Sequence, residues 1–230
     1  MTTNPTPANK TEEVFESLRA DLLSGRVEPG QRMKSQELSS RFGVSLSVVR
    51  EALTRLAEQG LLVSTPQRGF SVRPLSVADL ADLTRVRVQI ESLALRQAFE
   101  LGDISWETTV LGTHHALERT SVTLEDGSFN EAWSAAHRDF HRALLASCGS
   151  PRLEAIATSL RDSAELYRRW YWALTDDHQR NIAEEHRLLK DFALDRDADQ
   201  AVRQLAAHIE RAPQALIAYA QEHGLDSAFV

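Results

Sequence analysis

The run Ser45-Leu46-Ser47-Val48-Val49-Arg50-Glu51-Ala52-Leu53 decides how the rest of the chain is read. Val48, Val49, Ala52, Leu53 and Leu56 recur at helical spacing, and Gly43 separates this helix from a shorter one marked by Leu38 and Phe42. Two helices joined by a glycine-bearing turn make helix-turn-helix punctuation. Ser45 stands where an N-cap belongs. Leu46, Ser47 and Arg50 therefore crowd the exposed start of the second helix, the end that enters a DNA major groove.

Upstream, residues 11–23 carry Val14, Phe15, Leu18 and Leu22 on one helical face, and Glu28-Pro29-Gly30-Gln31 turns the chain. Downstream, Leu61-Leu62-Val63-Ser64-Thr65, then Pro66-Gln67-Arg68-Gly69, then Phe70-Ser71-Val72-Arg73 reads as strand, turn, strand. Three helices and a hairpin wing predict a winged helix-turn-helix over residues 11–74, behind a flexible polar leader over residues 1–10. Pro74-Leu75-Ser76 is a brief junction, with Ser76 as a second N-cap. No strand pattern follows it. Periodic segments at 77–101, 104–122, 128–147, 151–174, 177–194 and 196–222 predict an all-helical bundle over residues 75–230, with Pro213 kinking or interrupting the last helix. The fold class is mainly α.

The net charge of −7 looks wrong for a DNA binder until the chain is divided at Pro74. Residues 1–74 hold 10 basic against 8 acidic side chains, whereas residues 75–230 hold 16 against 25. From Arg32 to Arg73, seven basic residues face three acidic ones, a suitable footprint for a phosphate backbone. The single Cys148 excludes an internal disulfide framework and fits a reducing compartment. No apolar run approaches the roughly 18 residues that a membrane span needs, and the start of the chain is no hydrophobic signal sequence. These features together read as cytoplasmic, with no membrane partner.

The segment Leu22-Leu23-Ser24-Gly25-Arg26-Val27-Glu28-Pro29-Gly30-Gln31-Arg32, with Gln36-Glu37-Leu38, Val49-Arg50-Glu51-Ala52-Leu53 and Gly60-Leu61, resembles the GntR family of bacterial transcription regulators. The second part resembles the helical FCD effector domain of the FadR-type branch, through Arg87 with Glu91, Asp139-Phe140-His141-Arg142-Ala143-Leu144, Glu185-His186 and His208. The resemblance covers about residues 11–215. It implies a homodimer that binds a roughly palindromic double-stranded operator and changes affinity when a small metabolite enters the bundle. On the DNA side it points to Gln36, Ser45, Leu46, Ser47 and Arg50, with Arg68 and Gly69 at the wing tip. The family usually has arginine directly after the capping residue. Leu46 replaces a bidentate guanine reader with apolar contact, for example to a thymine methyl, so readout leans on Arg50, Gln36 and the wing.

His137 and His141 lie four apart and share a helix face, while His186 and His208 fall on two further helices. Such imidazoles can converge on a metal within a bundle, although surface and satisfied core histidines are commoner. The resemblance raises that reading, since the metal-binding branch has an aspartate at the His137 position followed by the three matching histidines. A four-histidine set favours a divalent transition metal, Zn or Ni first, over Mg or Mn. The alternative is that losing the carboxylate weakens the site enough to leave it empty. Asp139 does not replace it, because two residues turn it about 200° around the helix. His114, His115 and His178 fit no ligand spacing and read as surface residues, and His223 as part of the tail.

Arg87 stands beside an apolar face of Leu80, Leu83, Val86, Ile90 and Leu93 and needs a partner. A carboxylate effector matches its guanidinium; an internal salt bridge to Glu91 or Asp139 does so equally well. Tyr167, Trp170 and Tyr171 share a face and form either core or pocket wall, which makes Tyr167 and Tyr171 further effector candidates. Two other functions compete with a regulator: a metal-dependent hydrolase on the bundle, and a helical interaction module. A hydrolase needs an open metal position and a base, yet the chain has no His-Glu-x-x-His and no Gly-x-Ser-x-Gly. The sequence therefore predicts no enzyme and no organic cofactor.

Overall fold

The computed structural model describes residues 7–23, 27, 30–74, 76–126, 129–175 and 181–223. The first helix, α1 (Pro7–Leu23), starts four residues before the expected position and takes in the end of the leader; residues 1–6 lie outside the described part. A two-residue strand, β1 (Arg32–Met33), leads to α2 (Ser35–Phe42) and α3 (Leu46–Glu58), followed by the wing strands β2 (Leu62–Thr65) and β3 (Gly69–Val72). The sheet order is β1-β3-β2, all antiparallel, with Arg32 opposite Ser71 and Thr65 opposite Gly69. β1 was not expected, because two residues carry no period. It closes the free edge of the wing at its base.

Local chemistry explains the turn before α3. Gly43 ends α2 in the left-handed conformation at φ 63°, and Ser39 Oγ donates to the Val44 carbonyl at 2.6 Å. Ser45 then caps α3 by accepting from the Val48 amide. Val49, Ala52, Leu53 and Leu56 are fully buried against Val14, Phe15, Leu18 and Leu22 of α1, each large side chain contributing roughly 1.5–3 kcal/mol. Burial of that face forces the opposite face of α3 into solvent.

The remainder is helical: α4 (Val77–Leu101), α5 (Ile104–Glu118), α6 (Glu131–Leu145), α7 (Pro151–Leu174), α8 (Ile182–Leu194) and α9 (Ala198–Glu222). Ser76, Asp103, Asn130, Ser150, Asn181 and Asp197 cap these helices with their side chains, so local polar chemistry sets each start. α5 stops four residues short of the expected end, and α9 runs through Pro213 without interruption. α4 packs on α7 and α9, and α5 packs on α6 and α8. Among the described residues no helix is long and apolar enough to cross a membrane.

Two apolar cores form, and their division does not follow the junction near residue 75. One core combines α1, α3 and the wing with Leu80 of α4, Leu166, Tyr167, Trp170 and Tyr171 of α7 and Leu216 of α9. The other lies inside the bundle around Leu95, Phe140, Leu144, Leu189 and Leu205. Polar contacts reinforce the first. Arg19 pairs with Asp162 at 2.8 Å, and Ser163 Oγ donates to the Gln59 carbonyl at 3.1 Å.

Candidate functional site

The exposed start of α3 presents Ser45, Leu46, Ser47 and Arg50 together, and Gln36 is exposed at the start of α2. Ser45 Oγ and Ser47 Oγ lie 2.8 Å apart. At the wing tip Arg68 is exposed beside Gly69, whose φ of 85° suits a residue without Cβ. Gln67 also takes a positive φ, 62°, so the tip is a tight turn that pushes Arg68 outward. Leu46 is 46% exposed, an apolar side chain that α3 does not bury. Further back, Arg55 lies 4.0 Å over the Phe15 ring and donates to Glu12 at 2.8 Å, so it anchors α3 to α1.

Inside the bundle, His137 and His141 of α6, His186 of α8 and His208 of α9 converge, with one potential ligand nitrogen from each lying within 4.8 Å of the others. His141 Nε2 and His186 Nε2 are 3.4 Å apart. His208 turns its Nδ1 toward Glu185 at 2.7 Å. Burial first, then the neighbouring cations and imidazoles, pushes His137 and His141 well below the usual histidine range, which keeps them neutral. Neutral, convergent imidazoles fit a divalent transition metal. Asp139 points elsewhere, as expected, and pairs with Arg142 at 2.7 Å.

The cluster opens onto a cavity walled by α4, α6, α7 and α9, with Ile182 at the start of α8. Arg87, Arg138, Arg161 and Arg168 line it together with Thr84, Tyr167 and Glu165. Arg87 makes the internal salt bridge, its Nε donating to the buried Glu91 at 2.9 Å, and the residue also stands in the cavity wall. Arg161 stands 4.0 Å from the same carboxylate, and its Nη1 is buried without a hydrogen-bond partner among the described residues. Glu165 is buried between Arg168 and Arg169. Burial alone would raise its pKa, but the two guanidiniums and Ser134 Oγ bring it down to about 2.

Two expectations change. Tyr167 lines the cavity, whereas Tyr171, one turn on, is buried in the core shared with α1 and the wing and is not part of the cavity wall. His114 is buried, not superficial: it packs edge-on against Phe140, with ring centroids 5.4 Å apart. His178 lies outside the described residues. The stripe Arg161, Glu165 and Arg168 on α7 was overlooked in the sequence, although its spacing places three charges on one face of a helix that also carries a large aromatic load.

Comparison with known proteins agrees with this arrangement. Residues 10–72 match the model for bacterial regulatory proteins of the gntR family, and residues 82–211 match the FCD domain. The chain is 40% identical over 202 residues to the HTH-type transcriptional regulator BphR of Paraburkholderia xenovorans, covering 86% of this chain and 82% of that one. It is 27% identical over 196 residues to the HTH-type transcriptional repressor GlaR of Escherichia coli, covering 84% and 89%. Its fold is similar to that of E. coli McbR/YncC, with a TM-score of 0.75 at 23% identity over 93% of this chain and 98% of that one. The chain therefore belongs to the gntR family, in the branch whose winged helix-turn-helix is joined to an FCD domain, and is a DNA-binding transcriptional regulator, not an enzyme.

Proposed function

We propose that the regulator works as a homodimer on a roughly palindromic operator in the cytoplasm, with residues 11–74 reading DNA and residues 75–230 dimerising and binding a small carboxylate effector beside a divalent transition metal, Zn or Ni. The observation that carries this reading is the position of α7. Arg161, Ala164 and Arg168 face the cavity, while Asp162, Ser163, Leu166 and Trp170 face α1, α3 and the wing, and Tyr167 belongs to both. A ligand that moves α7 also moves the reading helix, and in a dimer a small rotation changes the spacing of two helices set about one helical turn apart.

On the DNA side, Arg50 supports base or phosphate contact, Gln36 adds to base readout from the start of α2, Ser45 and Ser47 hold phosphates, Leu46 meets a thymine methyl, and Arg68 beside Gly69 enters the minor groove or clamps a phosphate. In the bundle, His137, His141, His186 and His208 are the residues that would hold the metal. When bound, the metal would supply positive charge and coordination positions for a carboxylate oxygen. Arg87, Arg161 and Tyr167 would orient the rest of the effector.

The test joins random-site selection with ligand screening. The full-length protein should recover a palindromic sequence at physiological salt, and metal analysis with thermal shifts against small carboxylates should identify metal and effector. Recovery of no sequence preference would overturn the operator reading. A His141→Ala variant with unchanged metal content and unchanged ligand stabilisation would overturn the bundle reading.

A further inference from the structure

The four histidines differ in what faces their second nitrogen. A carboxylate only accepts, so His208 donates Nδ1–H to Glu185 Oε2 at 2.7 Å and keeps its lone pair on Nε2. That is how a metal-ligating imidazole is normally oriented. His137 has the reverse environment. Its Nδ1 lies 2.9 Å from Arg168 Nη1, and because a guanidinium offers donors and no acceptor, Nδ1 must accept. A neutral imidazole that accepts at Nδ1 carries its proton on Nε2. This Nε2 is buried and has no hydrogen-bond partner among the described residues. A protonated nitrogen offers a metal no lone pair, and the other nitrogen is engaged.

Arg168 is itself fixed. It pairs with Glu165, donates from Nη2 to Ser134 Oγ at 2.9 Å and lies 5.2 Å over the Trp133 ring. A second buried donor without a partner among the described residues, Arg161 Nη1, belongs to a residue in the wall of the same cavity. Among the described residues, Arg87, Arg138, Arg161 and Arg168 line that cavity against Glu165, with Glu91 behind them, so the described carboxylates are fewer than the cations. Unpaired buried donors beside excess positive charge fit oxygen acceptors of an anion.

We propose that His137 serves the anionic ligand of the cavity and not the metal: its Nε2–H and the Arg161 guanidinium donate to carboxylate oxygens, and His141, His186 and His208 form the whole protein ligand set. The assignment rests on the metal and carboxylate reading above and separates the two roles within one histidine cluster. It makes the site a three-imidazole centre with a donor aimed across it.

Full-length protein labelled with ¹⁵N at histidine and loaded with ¹¹³Cd²⁺ tests this directly. Metal–nitrogen couplings are expected at His141, His186 and His208 and not at His137, which should report the Nε2–H tautomer. A fourth coupling, at His137, overturns the proposal. His137→Gln should bind Zn²⁺ within about threefold of wild type, while His141→Gln should weaken it by roughly 10- to 100-fold. The same His137→Gln, or Arg161→Gln, should abolish the melting-temperature rise that acetate, succinate or citrate produces in the wild type. Equal loss of Zn²⁺ in His137→Gln and His141→Gln overturns the ligand assignment, a wild-type rise retained in full by His137→Gln overturns the donor role, and absence of any rise in the wild type with all three anions overturns the carboxylate reading. A wild type that takes up no Zn²⁺ is a different result and overturns the metal reading itself.

Discussion

Tyr167 donates its hydroxyl to Asp79 Oδ2 at 2.6 Å, joining the cavity wall to the first turn of α4. Burial, followed by the hydrogen bond to Asp79, pushes the phenol above its ordinary pKa, so the group remains a donor. Asp79 also pairs with Arg73 at 3.4 Å, and Arg73 Nε donates to the Gly60 carbonyl at 2.7 Å, just past the end of α3. Cavity wall and reading helix are thus linked by three consecutive polar contacts.

Tyr167→Phe should therefore cost roughly 0.5–1.5 kcal/mol of stability, because the hydrogen bond is part-buried and Asp79, more than a third exposed, keeps Arg73 and water as partners. Urea denaturation of the full-length protein checks it. The variant should also bring the ratio of operator affinities with and without the effector toward one. An unchanged ratio would show that coupling runs through the apolar face of α7 instead.

Arg50→Ala should leave the melting temperature unchanged, since the side chain is exposed, and should weaken operator binding by the roughly 1–3 kcal/mol of a specific base contact. Leu46→Arg at the adjoining position should shift selected sites toward guanine. Site selection with the two variants, run beside wild type, separates these effects. Identical consensus sequences from wild type and Leu46→Arg would mean that residue 46 does not face the bases.

Glu165 makes stability depend on acid. Its folded pKa of about 2 lies below the ordinary 4.5, so its contribution is fully present above pH 4.5 and is lost as pH falls through 2. The difference corresponds to about 3 kcal/mol. Glu165→Gln should lose this acid-dependent component, while destabilising the protein at neutral pH by leaving Arg168 and Arg169 without their shared carboxylate. Denaturant midpoints of both proteins between pH 6 and pH 3 provide the measurement; parallel pH profiles would contradict it.

Gly60 has φ 76°, and a Cβ there would sit 2.8 Å from Ser163 Oγ. Gly60→Ala should cost about 1–3 kcal/mol through backbone strain and displacement of Ser163, which also donates to the Gln59 carbonyl. The double variant Gly60→Ala with Ser163→Ala should recover the steric part alone. Thermal unfolding of the two decides the matter.

Most of the elements were legible because each carries a local signal. The Ser45 and Ser76 caps, the period of α4 to α9 and the Gly69 turn all declare themselves within a few residues. The four histidines were legible by spacing and family resemblance, and they do converge. What escaped depends on partners distant in sequence. β1 exists because β3 lies beside it, His114 is buried because Phe140 packs against it, and Tyr171 turns from the cavity because the α1 and wing core claims that face. The arginines of α7 look like solvated charges until the bundle closes around them. Periodicity finds faces; it does not say what each face meets.

The core shared by α1, α3, the wing and α7 restricts how such regulators can be recombined. Exchange of reading heads between relatives at residue 75 would cut through a packed apolar surface. A functional chimera needs compatible side chains at Leu166, Trp170, Tyr171 and Leu216 as well as a foreign head. A head expressed by itself would expose those contacts to water and tend to self-associate. The unit of inheritance for operator choice is therefore larger than the segment that touches DNA.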